Sequence, residues 1–286
     1  MMFRPRDSYD QRLLDARLEI TPKPSAIRWV HDVFNNCVTL VEFSGRAREL
    51  RFESFIRLDH SLILDVDFPI ADHARTFPFS YDGEEMPDLL RSIERQYPDR
   101  KHELAFWARQ FVGKGGPVGT YDMLAAMTNG IRKNFTYVAR SEMGVQEPVT
   151  TLKRRSGTCR DFAVLMMEAV RSLGLAARFV SGYLYVPTRD ARGHVGGGST
   201  HAWVQVYIPG AGWMEFDPTN GIVGNRDLIR VAVARDPGQA VPLSGTWTGF
   251  PSDNLGLTVE VQVTSESENE LQAKPSAGDG SLRASL

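Results

Sequence analysis

A helix start with a cysteine in its first turn constrains this chain more than any other sequence feature. Thr158 is a favourable N-cap residue, and Asp161, three positions later, completes a capping-box pattern. Apolar residues then recur on one helical face, and Gly174 follows as a stop signal. The pattern predicts a helix over 158–173 whose first turn contains Cys159.

The position of Cys159 favours nucleophilic chemistry. Unpaired N–H groups and the positive end of the helix dipole lie at a helix N-terminus, where they stabilise a thiolate and can hold an oxyanion. An adjacent imidazolium would act in the same direction. The alternative is that Cys159 is a small buried hydrophobic side chain, as most free cysteines are. For Cys37, inside an alternating strand pattern, we expect only a core role.

A base and its orienting acceptor are expected on two successive strands. His201 opens a predicted strand over 202–208, and Asp217 closes another over 212–216. If these strands pair through the intervening turn, the two side chains lie opposite each other, with Cβ atoms roughly 5 Å apart. The carboxylate would then accept from one imidazole nitrogen and leave the other facing the thiolate.

Other interpretations of these residues stay open. A histidine at a strand start is often simply solvated or satisfied, and Asp-Pro is a common turn initiator. Asn220 is a second candidate for the orienting residue, and His194, inside the glycine-rich loop 190–200, is a rival base. That loop lacks the Lys-Ser/Thr of a phosphate-binding loop, so we interpret it as a mobile loop flanking a cleft.

Composition excludes several classes of protein. The 33 basic and 35 acidic residues give a net charge of −2, which does not suit a dedicated nucleic-acid binder. No apolar run reaches the ~20 residues of a membrane helix, and the N-terminal segment lacks the apolar stretch of a secretory signal. Two cysteines argue against a disulfide framework or a cysteine-rich zinc site, so we expect a cytoplasmic protein.

The chain divides into a β-rich start, a mixed core and a polar tail. We predict a small β-sandwich domain over 1–80, a catalytic core over 81–264 and a disordered tail over 265–286. The predicted strands of the first part are 14–20, 38–43, 50–56 and 62–66. In the core we predict further helices over 86–96, 102–112 and 121–133, and further strands over 176–186 and 257–263.

Four motifs together resemble the core of the transglutaminase-like superfamily of papain-type thiol enzymes, in its bacterial branch. They are Gly157-Thr-Cys-Arg-Asp-Phe-Ala163, Arg171-Ser-Leu-Gly-Leu-Ala-Ala-Arg-Phe-Val-Ser-Gly-Tyr183, His201-Ala-Trp-Val204 and Gly212-Trp-Met-Glu-Phe-Asp-Pro-Thr-Asn220. Arg235-Asp236 with Pro242-Leu-Ser-Gly245 is similar to the C-terminal signature of that branch, and the strands of 12–66 resemble its N-terminal domain.

The resemblance implies an α+β fold, in which the cysteine-bearing helix packs on an antiparallel sheet and a small β-sandwich precedes this papain-like core. It implies Cys159 as nucleophile, His201 as base and acid, and Asp217 as orienting acceptor. It places Trp203 and Trp213 as walls around the site. No metal or organic cofactor is implied.

The resemblance also bears on four further residues. Asp161 matches a family position but fits helix capping better than catalysis. Gln205 departs from the family pattern, since many relatives carry Glu there. No motif identifies a second oxyanion donor, for which Tyr137 and Gln146 are candidates.

The chemistry expected of such a site is acyl transfer through a thioester. We favour hydrolysis of a peptide or protein amide by a cysteine peptidase or amidase, because water is always available as acceptor, whereas amine transfer needs an acceptor pocket that excludes it. The alternatives are a protein-glutamine acyltransferase that crosslinks proteins, an amide-group transferase for small molecules, and a non-catalytic peptide-binding or assembly module. The sequence does not indicate an oligomeric state.

Overall fold

The computed structural model describes residues 1–61, 69–113, 115–140, 144–186 and 198–266. Four strands form the N-terminal region: β1 (Gln11–Thr21), β2 (Ala26–His31), β3 (Cys37–Glu42) and β4 (Arg51–His60). β1 pairs with β4 and β2 with β3, both antiparallel. The expected β-rich N-terminal part is therefore present, and the predicted strand over 62–66 lies outside the described residues.

A register shift changes the pattern at the start of β1. Ala16, Leu18 and Ile20 are half-buried in alternation, as the sequence predicts. Leu14 was expected on the same face but is about half exposed, because the β1–β4 pairing slips between Leu13 and Asp15. An extra residue in one strand moves the following side chains to the other face.

Helices and four short strands make up the middle of the chain. In chain order they are β5 (Thr76–Phe77), α1 (Met86–Ile93), α2 (Glu103–Arg109), β6 (Val118–Gly119), α3 (Thr120–Asn134), β7 (Thr136–Tyr137), α4 (Pro148–Arg154), β8 (Ser156–Gly157) and α5 (Cys159–Ser172). The predicted helices correspond to α1, α2, α3 and α5, with α1 and α2 each ending three residues early. The short α4 was not predicted.

A five-stranded antiparallel sheet completes the core. Its strands are β9 (Ala177–Leu184), β10 (His201–Ile208), β11 (Gly212–Asp217), β12 (Ile222–Val223) and β13 (Leu228–Ala234), in the spatial order β12-β11-β10-β9-β13. The strand β13 was not predicted. Residues 257–263 were expected to form a strand but belong to no sheet of the described chain; Leu257 and Val259 are exposed, whereas Val261 and Val263 are half-buried.

The helix α5 lies at the centre of the main hydrophobic core. Its side chains from Asp161 to Arg171 are buried, and it packs chiefly against β10 and β9. The packed face of the sheet supplies Phe179, Val204, Val206, Met214 and Phe216, among others. The predicted arrangement of a cysteine-bearing helix on an antiparallel sheet is thus confirmed.

Two side-chain amides of the N-terminal region bind the backbone of the edge strand β13. Gln11 donates to the carbonyl of Arg230 and accepts from its N–H, each at 2.8 Å. Asn36 makes the same two contacts with Val233, at 2.7 and 2.9 Å. Backbone groups that an edge strand would leave open are therefore satisfied by the first part of the chain.

Candidate active site

The N-terminus of α5 is held by the capping box that the sequence predicts. The Thr158 hydroxyl accepts from the Asp161 N–H, and the Asp161 carboxylate accepts from the Thr158 N–H at 2.8 Å. Thr158 lies in extended backbone and α5 begins at Cys159, so Cys159 occupies the first helical position. This is the geometry in which free N–H groups and the helix dipole act on the sulfur.

Arg140 and Gln146 fix the capping carboxylate further. Arg140 donates through Nε and Nη2 to the two oxygens of Asp161, both at 3.0 Å, and the Gln146 N–H donates to Oδ1 at 2.7 Å. Asp161 is fully buried, so its charge depends on these partners. Sequence reasoning missed Arg140, which lies 21 residues before Asp161 in no recognisable spacing.

The residue before Thr158 must be small. A Cβ at Gly157 would lie 2.8 Å from the Cβ of Asp161, closer than side-chain carbons can approach. Gly157 also pairs with Tyr137 where β8 runs parallel to β7. The glycine of the motif therefore permits the approach of the capping carboxylate.

His201 and Asp217 form a buried pair. The distance between His201 Nε2 and Asp217 Oδ2 is 2.8 Å, and both side chains are inaccessible to solvent. The predicted direct opposition is wrong in register: Ile208 pairs with Gly212 across the tight turn, which puts Val204 opposite Phe216 and makes the contact diagonal. Diagonal neighbours remain within reach of side chains as long as His.

Asn220 supports Asp217 rather than replacing it. The Asn220 Nδ2 donates to Asp217 Oδ2 at 2.8 Å and lies 3.4 Å from His201 Nε2. The Thr219 N–H donates to the other carboxylate oxygen, at 2.8 Å. The rival base His194 and residues 187–197 of the glycine-rich segment lie outside the described residues.

Electrostatics favour a charged His201–Asp217 pair. Burial lowers the pKa of His201, but the Asp217 carboxylate and then the Cys159 sulfur raise it, and the net effect is a raised pKa. Burial raises the pKa of Asp217. The His201 charge and the hydrogen bonds to this carboxyl lower it by a larger amount, so the net effect is a lowered pKa. The second ring nitrogen, Nδ1, is buried and hydrogen-bonds to none of the described residues. It is the nitrogen left for the thiol.

The two candidates for a second oxyanion donor differ in their surroundings. Tyr137 is half-buried, and burial followed by the charges of Cys159 and Asp161 raises its pKa. The Gln146 amide nitrogen already donates to Thr151 Oγ1 and to the Ser156 carbonyl, at 3.1 and 2.9 Å. The Gln146 amide nitrogen is therefore already used in hydrogen bonds to Thr151 and Ser156.

Trp203 borders the site, whereas Trp213 does not. The Trp203 ring stacks on the His201 ring with centroids 5.9 Å apart, and its Nε1 donates to the Glu215 carboxylate. Trp213 was expected beside the site but packs against Tyr207 and under the Arg178 guanidinium. It precedes Asp217 by four strand residues, which places it ~13 Å along the strand.

Three further features of the described residues concern the cysteine thiols, metal binding and membrane-spanning helices. Cys37 is half-buried and Cys159 buried, and both are free thiols. Within the described ranges, no group of three or more His, Cys, Asp or Glu side chains is arranged to hold a metal ion. Among these same residues, no helix is both long and apolar enough to cross a bilayer.

Sequence comparison identifies the family. The profile of the Transglutaminase-like superfamily matches residues 106–218, and that of the Bacterial transglutaminase-like N-terminal region matches residues 1–59. Residues 106–218 therefore match the core of the transglutaminase-like superfamily, and residues 1–59 match the N-terminal region of its bacterial branch. The superfamily core thus spans the cysteine, histidine and aspartate described above, and the resemblance found in the motifs is confirmed.

Mycobacterial relatives cover different parts of the chain. It is 29% identical over 279 residues to an uncharacterised protein of Mycobacterium tuberculosis, covering 90% of this chain and 84% of that protein. It is 34% identical over 139 residues to an uncharacterised protein of Mycobacterium leprae, which spans 48% of this chain but only 49% of that protein.

Two further similarities concern the fold and the core. The crystal structure of a proposed cysteine protease from Cytophaga hutchinsonii superposes with a TM-score of 0.64 at 24% identity, over 84% of this chain and 76% of that one. This superposition shows that the two proteins have the same fold. A 74-residue segment is 35% identical to the protein-glutamine gamma-glutamyltransferase of Pseudomonas aeruginosa, covering 25% of this chain and 11% of that protein.

Proposed function

We propose that this protein is a cysteine peptidase or amidase that hydrolyses an amide bond of a peptide or protein through a Cys159 thioester. The observation that carries the proposal is the buried His201–Asp217 pair, whose free ring nitrogen is left for a thiol at the start of α5. This combination supplies a nucleophile, a proton carrier and an orienting carboxylate.

The geometry supports a two-step mechanism. The Cys159 thiolate attacks the amide carbonyl carbon, and the Cys159 N–H at the helix terminus donates to the developing oxyanion. Protonated His201 gives its proton to the leaving amine, and the C–N bond breaks to leave a thioester. Water then attacks the thioester while His201 takes its proton, and the C–S bond breaks to release the acid and the thiolate.

Asp217 keeps His201 in the orientation and charge that both steps need. Its carboxylate binds Nε2, which leaves Nδ1 as the nitrogen that exchanges protons with sulfur, amine and water. Because Thr219 and Asn220 bind the same carboxylate, Asp217 is itself fixed. The proposed chemistry needs no metal and no organic cofactor.

The proposal is tested by trapping and by substitution of Cys159. Iodoacetamide should modify Cys159 well before Cys37, and an electrophilic peptide should add one adduct mass to the wild-type chain and none to Cys159→Ala. A screen over short peptide amides, including glutamine, glutamate and isopeptide variants, should give hydrolysis that Cys159→Ala abolishes. Hydrolysis retained by Cys159→Ala would refute the assignment.

A second candidate is transfer of the acyl group to an amine, as in a crosslinking acyltransferase. The observation in its favour is the 74-residue similarity to the Pseudomonas aeruginosa gamma-glutamyltransferase. The two activities share the thioester and differ in the acceptor. Adding a primary amine to the peptide assay separates them: amide product in place of acid supports transfer, and acid alone supports hydrolysis.

A non-catalytic peptide-binding role makes the opposite prediction. Such a module would bind its peptide equally well as Cys159→Ala and would form no thioester with any substrate.

For the cellular compartment, we propose the cytoplasm, supported by the two unpaired cysteines. Fractionation of the cells in which the protein is made tests that location.

A further inference from the structure

A cavity of about 270 Å³ lies against the sheet, and Cys159, His201 and Asp217 are not among the residues that line it. Strand residues of β9, β10 and β11 form one wall, and residues 6–10 of the N-terminal segment form another. The side chains that matter for its chemistry are Arg178, Gln205, Trp213, Glu215, Arg230 and Asp10.

Arg178 presents a fixed guanidinium to this cavity. Its Nε donates to Gln205 Oε1 at 2.6 Å, and its guanidinium carbon lies 4.1 Å from the centroid of the Trp213 ring. The two Nη groups make no hydrogen bond or ion pair with any residue that the structure describes. A planar pair of donors is therefore held in place with no acceptor among the residues that the structure describes.

The other cations of the cavity already have acceptors. Arg230 binds Glu215 at 2.5 Å and Asp10 at 2.9 Å, and the Arg6 Nη1 donates to the Phe34 carbonyl. No carboxylate of the described chain lies at ion-pair distance from Arg178, whose Nε partner is the neutral amide of Gln205.

Burial disfavours the charged form of Arg178 and lowers its pKa to about 9. The charge of Glu215 opposes this effect, and the charges of Arg230 and Arg6 add to it. A group whose charged form is disfavoured in this way gains most from an incoming anion.

We infer that this cavity binds a carboxylate group, held by the two Nη groups of Arg178. A planar carboxylate matches the fork of a guanidinium in a bidentate pair. A single negative charge also suits the cavity better than the two of a phosphate, because Asp10 and Glu215 line the same walls. The inference does not depend on the reactivity of Cys159.

Acetate is the probe that tests the site, with the full-length chain. Thermal unfolding is followed against potassium acetate, with potassium chloride at equal ionic strength as the control. Ligand binding to the folded state raises Tm in a saturable way. We expect such a rise for the wild type and for Cys159→Ala, and at least a tenfold weaker acetate dependence for Arg178→Gln.

Arg178→Lys provides a second variant if Arg178→Gln does not fold. It retains the positive charge but replaces the planar pair of Nη donors with a single ammonium group, and it should weaken the acetate response. An identical response to acetate in the wild type and in either variant would overturn the inference. A phosphate response that equals or exceeds that of acetate at the same pH would overturn the choice of a carboxylate.

Discussion

At the scale of single residues, the site depends on buried charges that are each matched by a partner. Asp161 caps the helix of the proposed nucleophile, and Arg140 compensates it, whereas Asp217 is compensated by His201. A buried charge that loses its partner is strongly destabilising, although the pair as a whole stabilises little. For each pair, replacing one partner should therefore destabilise the protein more than replacing both partners.

Arg140→Gln should destabilise the protein, and Asp161→Asn should restore part of the loss. The single change leaves the Asp161 carboxylate buried with only neutral donors, at a cost of roughly 2–4 kcal/mol. Urea unfolding of the two single variants and the double variant measures the coupling between them. Arg154→Gln, which removes an exposed cation bound to Gln146, is the matched control and should cost far less. Additive effects would contradict a direct partnership.

Asp217→Asn should destabilise the protein in a pH-dependent way. His201 has a raised pKa, so its contribution is complete below the unfolded value of about 6.5 and is lost as pH rises through the folded value. Asp217 has a lowered pKa, so its contribution is present above about 3.9 and is lost as pH falls through the folded value. The difference in free energy of unfolding from wild type should be largest between these limits.

Urea unfolding at pH 5.5 and pH 9 tests this pH dependence. The loss caused by Asp217→Asn should be smaller at pH 9 than at pH 5.5. Asn220→Ala removes a donor to the same carboxylate without removing a charge and should show a weaker pH dependence. A loss that grows from pH 5.5 to pH 9 would contradict a charged pair.

At the scale of elements, the helix α5 was predictable because its signals are local. Thr158, Asp161 and Gly174 mark its ends, and its apolar stripe has the helical period. The strands β10 and β11 were predictable for the same reason. The helix α4 buries only Pro148 and Thr151, so its sequence has no apolar stripe of helical period. The strand β13 depends on pairing with β9, a contact between residues far apart in sequence.

The capping box offers a test at this scale. Thr158→Ala removes the hydroxyl that binds Asp161 and should reduce the free energy of unfolding by about 1 kcal/mol. Thr158→Ser keeps the hydroxyl and is the control. Equal stability of Thr158→Ala and wild type, measured by urea unfolding, would show that the remaining contacts of Asp161 hold the helix start alone.

At the scale of the whole molecule, the N-terminal strands and the core share a boundary that sequence reasoning could not see. Composition and alternation identify a β-rich start, but nothing local shows that Gln11 and Asn36 bind the backbone of β13. The same holds for Arg230, which reaches Asp10 across 220 positions. Polar residues of ordinary strand and loop segments carry no pattern for such contacts.

Replacing both amides should expose the edge of β13. Each of Gln11→Ala and Asn36→Ala leaves buried backbone groups unpaired, at about 1–3 kcal/mol each, and an unpaired edge promotes association between chains. We expect the double variant to be less stable and to show concentration-dependent association in sedimentation velocity. Asn129→Ala, which removes an exposed side-chain amide of α3, is the control. A monomeric double variant of wild-type stability would contradict this role.

The amide contacts on β13 also set an order of events during synthesis. Gln11 and Asn36 leave the ribosome about 200 residues before the strand they bind. At ~5–20 residues per second this interval is about 10–40 s. Throughout this interval the two amino-terminal strand pairs are without their final partner, so their attachment is among the last steps in making the molecule.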